Sequence, residues 1–275
     1  MNFFRNKAIQ PFIFVLVILF SLMLTQPKKD NFQKNNTIDQ NILSSSLIIN
    51  TAPAQEPILE LPFNFKGQSA LARELNGETI FYELNPQQRW PIASLTKLMT
   101  GVIALEKIEK NNQIENLIKA MMLISDNDAA DQLANIFGNE NFIEAMNQKA
   151  NELGMYQTSF FDPSGLSFLN QSTTNDLYKL VRYISIYRPQ ILQWSREREL
   201  NINGLKYVNI NKFVERSDFL GGKTGWTDEA SGNLISVFSS PQKPILIIAL
   251  GTANKIERFE QTKNLLEWIF QYYKL

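Results

Sequence analysis

The sequence predicts an α+β fold: an antiparallel β-sheet flanked by helices, with a mostly helical lobe inserted in the chain. Three observations carry that expectation. Strand-like runs open the globular part, helical apolar periods fill its middle, and β-rich runs followed by one long amphipathic period close it. With 44% hydrophobic and 11% aromatic residues among 275, the chain holds apolar material for one large domain or two intimately packed lobes.

At the amino terminus, Arg5 and Lys7 precede an uncharged stretch from Ala8 to Thr25, densest from Phe12 to Phe20. Basic residues before a short apolar run are the layout of an export signal, and the run's length falls between a signal-peptide core and a minimal membrane span. The exit reads Leu22-Met23-Leu24-Thr25-Gln26-Pro27, with no small-x-small cleavage pattern. Residues 1–26 are therefore expected to be an uncleaved signal-anchor at the cell membrane, with the rest extracytoplasmic, in the cell envelope or periplasm, or secreted if the segment is cleaved. Residues 27–57 turn to Asn, Gln, Ser, Thr and Lys, with Ile42-Leu43 and Leu47-Ile48-Ile49 as apolar islands. Such a stretch buries too little to offset its ordering entropy and reads as a flexible linker. Residues 58–275 form the expected globular domain.

Within it, Ser69–Leu75 and Thr79–Leu84 flank Asn76-Gly77, a hairpin signal. From Ser94 to Lys107, Leu95, Leu98, Met99, Val102, Ile103 and Leu105 recur at helical spacing with Ser94 at the start. Further helices are expected at Glu115–Ile124, Asp128–Phe137, Asn141–Leu153 and Asn175–Tyr187. Asn203-Gly204 marks a second hairpin, Leu234–Ser239 and Ile245–Gly251 are short β-rich runs, and Ile256–Tyr273 is a closing amphipathic helix. No internal repeat is visible.

The chain contains no histidine and no cysteine. A Ser-His-Asp triad, a thiol nucleophile, a His-ligated zinc and a redox disulfide are all excluded, and no cofactor or metal is expected. The 27 basic and 27 acidic residues cancel, and no basic stripe with interleaved aromatics is present, so nucleic acid is not an expected partner.

Three short strings bear chemistry: Ser94-Leu95-Thr96-Lys97, Ser125-Asp126-Asn127 and Lys223-Thr224-Gly225. Each alone has an ordinary reading, the first two as helix caps and the third as a turn. In this order they supply a nucleophilic hydroxyl, a lysine to take its proton, a second hydroxyl and amide to relay and hold, and a basic strand edge. Residues three apart share a helix face, so Lys97 reaches Ser94. An ordinary lysine is protonated at neutral pH, so the site must desolvate Lys97 or bring another cation close, and Lys223 is the expected cation. Ser94 at a helix start also presents its backbone N–H to an oxyanion.

At these residues the chain resembles the serine-type D-alanyl-D-alanine carboxypeptidases, the low-molecular-mass penicillin-binding proteins. The similarity runs from about Ser69 to Tyr273. It takes in Pro91 to Thr100 (PIASLTKLMT), Ser125 to Ala130 (SDNDAA), Met146-Asn147, Leu153-Gly154-Met155, Asp162 to Leu166 (DPSGL), Gly222 to Thr227 (GKTGWT) and Arg258-Phe259. It implies the fold of β-lactamases and penicillin-binding transpeptidases, and hydrolysis of the terminal D-Ala-D-Ala bond of peptidoglycan stem peptides through an acyl-enzyme on Ser94, with β-lactams as covalent inhibitors. By the same resemblance, Lys97 is the base, Ser125 and Asn127 relay the proton and hold the substrate amide, and Lys223 supports that network. The N–H groups of Ser94 and Trp226 form the oxyanion hole, Gly225 lies in the substrate-binding strand, and Thr224 and Arg258 bind the terminal carboxylate. A solvated helix-start arginine is the other reading of Arg258.

Two departures stand out. Positions 98–124, between Lys97 and Ser125, number only 27, so a flap beside the cleft is expected to be trimmed. The chain also stops at Leu275, without the β-rich domain and amphipathic tail common in the family, and the amino-terminal anchor is expected to replace that tether. Cleavage of cross-linked peptidoglycan as a D,D-endopeptidase, or a non-catalytic scaffold role, are the alternatives. A class A β-lactamase would need a deacylating glutamate, and Asp162-Pro163-Ser164-Gly165 reads better as a turn.

Overall fold

The central sheet is legible in the alternation of its strands. In the computed structural model, which describes residues 64–202 and 204–274, five antiparallel strands lie in the order β2-β1-β9-β8-β7. They are β1 (Ser69–Glu74), β2 (Ile80–Leu84), β7 (Phe219–Thr227), β8 (Ser231–Phe238) and β9 (Ile245–Thr252). In β9, Ile245 and Ile247 face one apolar layer while Leu246, Ile248 and Leu250 face another. β8 divides likewise, with Leu234 and Phe238 on one side and Ile235 and Val237 on the other. A sheet buried on both faces needs such near-continuous apolar runs.

The first layer is closed by α7 (Glu257–Tyr273), whose Phe259, Leu265, Leu266, Trp268 and Ile269 pack on the sheet. The second belongs to the helical lobe, which enters the chain after β2 and ends before β7. It comprises α1 (Lys97–Lys107), α2 (Asn112–Leu123), α3 (Asn127–Phe137), α4 (Asn139–Glu152), α5 (Thr174–Tyr187) and α6 (Gln190–Ser195). Residues Lys97 through Ala104 of α1 are all buried, which makes α1 the centre of the lobe. Asn111, Asp126 and Thr173 begin α2, α3 and α5 by accepting backbone N–H bonds from Ile114, Ala129 and Asp176. The inserted lobe and the closing helix agree with the sequence. No described helix is long and apolar enough to cross a membrane. The expected anchor at 1–26 and linker at 27–57 lie outside the described residues.

Several local features differ from expectation. The β1–β2 connection spans Leu75 to Thr79 rather than two residues, with a register shift at Ala72/Arg73. Ser94 sits in a 3₁₀ turn, Ala93–Thr96, and the α-helix proper starts at Lys97. Two short pairs complete the fold: β3 (Trp90–Pro91) with β4 (Gln171–Ser172), and β5 (Glu199–Ile202) with β6 (Leu205–Val208), the expected second hairpin.

The edge strand β7 is not left open. The Ser195 hydroxyl at the end of α6 accepts the N–H of Gly222 at 2.9 Å and donates to Leu192 O at 2.7 Å, so a helix covers part of the edge. The segment before Ser94 is tied to the sheet by one buried amide: Asn233 of β8 donates to Pro91 O at 2.9 Å and accepts from Gly251 N–H at 2.8 Å. Asn233→Ala leaves both groups unpaired, and we expect a loss of about 1–3 kcal/mol for each. Urea unfolding monitored by tryptophan fluorescence measures it; an unchanged midpoint would show that the tie carries no stability.

Candidate active site

Ser94 owes its position to a strained turn. Ala93 has φ of +47° and Ser125, across the cleft, has φ of +60°, left-handed values that cost non-glycine residues about 1–3 kcal/mol each. Two glycines let backbones close on the turn. A Cβ on Gly165, itself at φ +86°, would lie 2.0 Å from Ala93 O, and one on Gly225 of β7 would lie 2.9 Å from Ile92 O. The turn bearing the hydroxyl is thus pressed between a loop bend and the edge strand.

Lys97 points its amine at Ser94 Oγ, 3.1 Å away. Its Nζ also donates to Asn127 Oδ1 at 2.7 Å and to the backbone carbonyl of Ser164. The side chain is 0% exposed. A neutral amine has two hydrogens and one lone pair. Asn127 Oδ1 and Ser164 O are acceptors only, so they take the two hydrogens, and the lone pair is left for the hydroxyl of Ser94. Burial pushes the Lys97 amine down to about 8, against the carboxylates of Asp162, Asp131 and Asp126, which raise it. Desolvation, the first of the two routes the sequence allowed, is thus its leading cause, rather than the charge of Lys223. The repulsion is felt at Lys223, which burial together with Lys97 and Arg258 pushes well below the usual lysine range.

Lys223 is 1% exposed, and its Nζ donates to Ser125 Oγ and to Thr224 O, both at 2.9 Å. Asp126 caps α3 and so sets Ser125 just before the helix and Asn127 at its first residue. Arg258, in the first turn of α7, is 6% exposed and donates from Nη1 to Gly225 O at 2.7 Å. Burial lowers its guanidinium to about 10, and its Nε has no partner. The reading of Arg258 as a solvated surface residue is therefore set aside. Ser94, Ser125, Asn127, Thr224, Gly225, Trp226 and Arg258 all line one cavity of about 480 Å³, with Lys97 and Lys223 behind its wall. No group of metal-ligating side chains occurs among the described residues.

What the sequence did not reveal is the loop behind Lys97. The Asp162 carboxylate accepts the N–H groups of Ser164 (2.8 Å), Gly165 and Ser167 (2.6 Å) and the Ser164 hydroxyl (3.0 Å). Buried Asn170 donates to Asp162 O at 3.0 Å and Thr96 Oγ1 at 3.2 Å, and Thr100 donates to Pro163 O at 2.5 Å. The expected turn exists, and it holds the Ser164 carbonyl against the Lys97 amine. An Asp-Pro-Ser-Gly string signals a bend, but nothing in it signals which carbonyl faces which amine.

A serine paired with a buried lysine at a sheet edge defines a serine acyl-transfer enzyme that dispenses with histidine. A family model described as D-alanyl-D-alanine carboxypeptidase matches residues 52–114 and 107–254, and the chain belongs to that family of serine-type peptidases. It is 28% identical over 263 residues to a D-alanyl-D-alanine endopeptidase of Pseudomonas aeruginosa, covering 82% of this chain and 84% of the relative. It is 36% identical over 213 residues to a D-alanyl-D-alanine endopeptidase of Haemophilus influenzae, covering 64% of this chain and 73% of the relative. Among solved structures, penicillin-binding protein D2 of Listeria monocytogenes in its cefotaxime-bound form superposes with a TM-score of 0.68 at 27% identity, over 74% of this chain and 97% of that one.

Asp162→Ala removes the acceptor for four hydrogen bonds and frees the Ser164 carbonyl. We expect the rate at which a β-lactam acylates the protein to fall about 10- to 100-fold with helical circular dichroism retained. An unchanged rate would mean that Asn170 and Thr100 hold the bend without it.

Proposed function

We propose that Ser94 is the nucleophile of a D-alanyl-D-alanine carboxypeptidase acting on peptidoglycan stem peptides, with Lys97 as its base. The observation that carries this reading is the buried Lys97 amine 3.1 Å from Ser94 Oγ; once deprotonated, with Asn127 Oδ1 and Ser164 O taking its two hydrogens, it turns its lone pair to the Ser94 hydroxyl. Lys97 takes the proton as Oγ bonds to the carbonyl carbon of the penultimate D-alanine. The N–H groups of Ser94 and Trp226 hold the oxyanion, and Asn127 holds the substrate amide. The C–N bond breaks as the amine receives a proton through Ser125, whose hydroxyl is steadied by Lys223. Terminal D-alanine departs with its carboxylate on Thr224 and Arg258. Water then cleaves the ester, so one peptide bond is split for one water consumed.

A β-lactam meets the same nucleophile, but its cleaved amine remains attached to the acyl group and cannot leave. The retained amine stays where the deacylating water would approach, and no described acidic side chain lines the cavity to activate that water, which together support a persistent adduct. A second reading, cleavage of cross-links, is favoured by the endopeptidase names of the two curated relatives. For location, the basic residues Arg5 and Lys7 before an uncharged stretch support tethering at the membrane with the catalytic domain outside the cytoplasm.

Intact mass after incubation with penicillin tests the nucleophile: we expect one adduct on the wild type and none on Ser94→Ala. A folded wild type without adduct, with the penicillin recovered unhydrolysed, would sink the assignment. The acylation rate is expected to rise about tenfold per pH unit below the Lys97 value of about 8 and level off above it, because only the neutral amine accepts the proton. Lys97→Met should remove that rise and slow acylation by about 10²- to 10⁴-fold. A flat profile in the wild type would rule out Lys97 as the base.

A further inference from the structure

The charges on the cavity wall are all of one sign. Lys212, which opens the 3₁₀ turn Lys212–Glu215, and Lys255, between β9 and α7, line the cavity with Arg258, and no described aspartate or glutamate does. In a chain whose 27 basic and 27 acidic residues balance, this is a local excess. Neither Lys212 nor Lys255 forms an ion pair with a described acidic residue. Each ammonium lies instead over an aromatic ring of the same wall: Lys212 Nζ is 5.7 Å from the Phe259 centroid and Lys255 Nζ is 5.7 Å from that of Trp226. Their neighbours Ile210 and Ile256 also line the cavity and are 45% and 56% exposed. The wall contributed by Asn127, Gly165 and Leu166 carries no charge.

We infer that Lys212 and Lys255 form a second anion subsite, beyond Arg258, for a leaving group that is itself a peptide bearing a further carboxylate. The inference rests on the assignment of Thr224 and Arg258 to the carboxylate next to the scissile bond. A departing D-alanine has that one carboxylate and a methyl group, and leaves both lysines nothing to bind. A second stem peptide, joined through a side-chain amine, carries free carboxylates several atoms further out, separated by aliphatic chain. Two lysines sharing the lining with exposed Ile210 and Ile256 match that combination of charge and apolar surface. Unpaired cations on one wall repel each other, and an anionic ligand relieves the repulsion and is drawn to the cleft. The subsite thus adds affinity for a longer, anionic leaving peptide while the terminal D-alanine is still released through Thr224 and Arg258 alone.

Binding can be read without turnover. The probe is a synthetic cross-linked stem-peptide dimer in two forms that keep the carboxylate beside the scissile bond: one with the remaining carboxylates of the leaving stem free, one with them amidated. Calorimetry on full-length Ser94→Ala is expected to show the free form bound roughly 3- to 30-fold more tightly, two exposed charge pairs each contributing modestly. The preference should vanish in Ser94→Ala carrying K212M/K255M, and shrink at 0.5 M salt, where exposed charge pairs are strongly screened. Equal affinity of the two forms for Ser94→Ala, or a preference that survives the double substitution, would overturn the subsite. Circular dichroism checks that the substituted protein is folded, and K255M alone should halve the preference on a logarithmic scale. The penicillin adduct on the wild type is scored separately, so failure of the acyl-enzyme reading and failure of the subsite give different results.

Discussion

The rest of the site is arranged around one fully buried amine. Lys97 sits at the start of the central helix with 0% exposure, and a lysine so placed must lose its charge or find full compensation. It finds two carbonyl acceptors beside the Ser94 hydroxyl, and no ion-paired carboxylate among the described residues. One acceptor is the amide of Asn127, at the first turn of α3; the other is the carbonyl of Ser164, in a loop bend. Neither could stand there without its own support. The Asp126 cap fixes the start of α3, and Asp162 with Asn170 fixes the bend. The three strings are therefore held together by a fourth stretch, whose Ser164 carbonyl completes the coordination of the Lys97 amine.

The same burial explains how a protein without histidine can hold a proton acceptor near neutral pH. Three basic side chains, Lys97, Lys223 and Arg258, are almost wholly buried around one cavity, and none has an ion-pair partner among the described residues. Desolvation leads at all three, and at Lys223 the other two cations add to it. In the proposed reading, a substrate carboxylate beside Thr224 and Arg258 offsets part of this clustered positive charge, which ties recognition of the leaving group to the electrostatics around Lys97.

Much of this was legible in the chain because it is local. Helical spacing placed α1 through α5, Asn203-Gly204 placed the second hairpin, and short β-rich runs placed β8 and β9. Other elements were hidden for identifiable reasons. The nine residues of β7 include Gly221, Gly222 and Gly225, which weaken any strand signal and are there because other backbone approaches closely. The single short helix α6 follows Arg188-Pro189 and is six residues long, too brief for periodicity to show. In the site, residue types and spacing pointed to Ser94, Lys97, Ser125, Asn127 and Lys223, since their chemistry lies in side chains. The Ser164 carbonyl could not be read, because every residue has one. The burial of Arg258 could not be read either, because it is set by packing between α7 and β7.

Strain completes the argument. Ala93 and Ser125 both hold left-handed backbone that their side chains disfavour, and each is adjacent to or is a residue that must meet the substrate. Such conformations persist only where the surroundings over-determine them. Around Ala93 that constraint comes from Gly165 and Gly225, whose missing Cβ atoms let the bend and β7 press against the turn, and from the Asn233 amide that ties Pro91 to the sheet. A hydroxyl held this way has little conformational freedom to lose in the acylation proposed for it. The sheet, the bend and the glycines therefore serve the reaction through the same contacts by which they stabilise the fold, and the positions that look least chemical in the sequence are those that keep Ser94 and Lys97 in register.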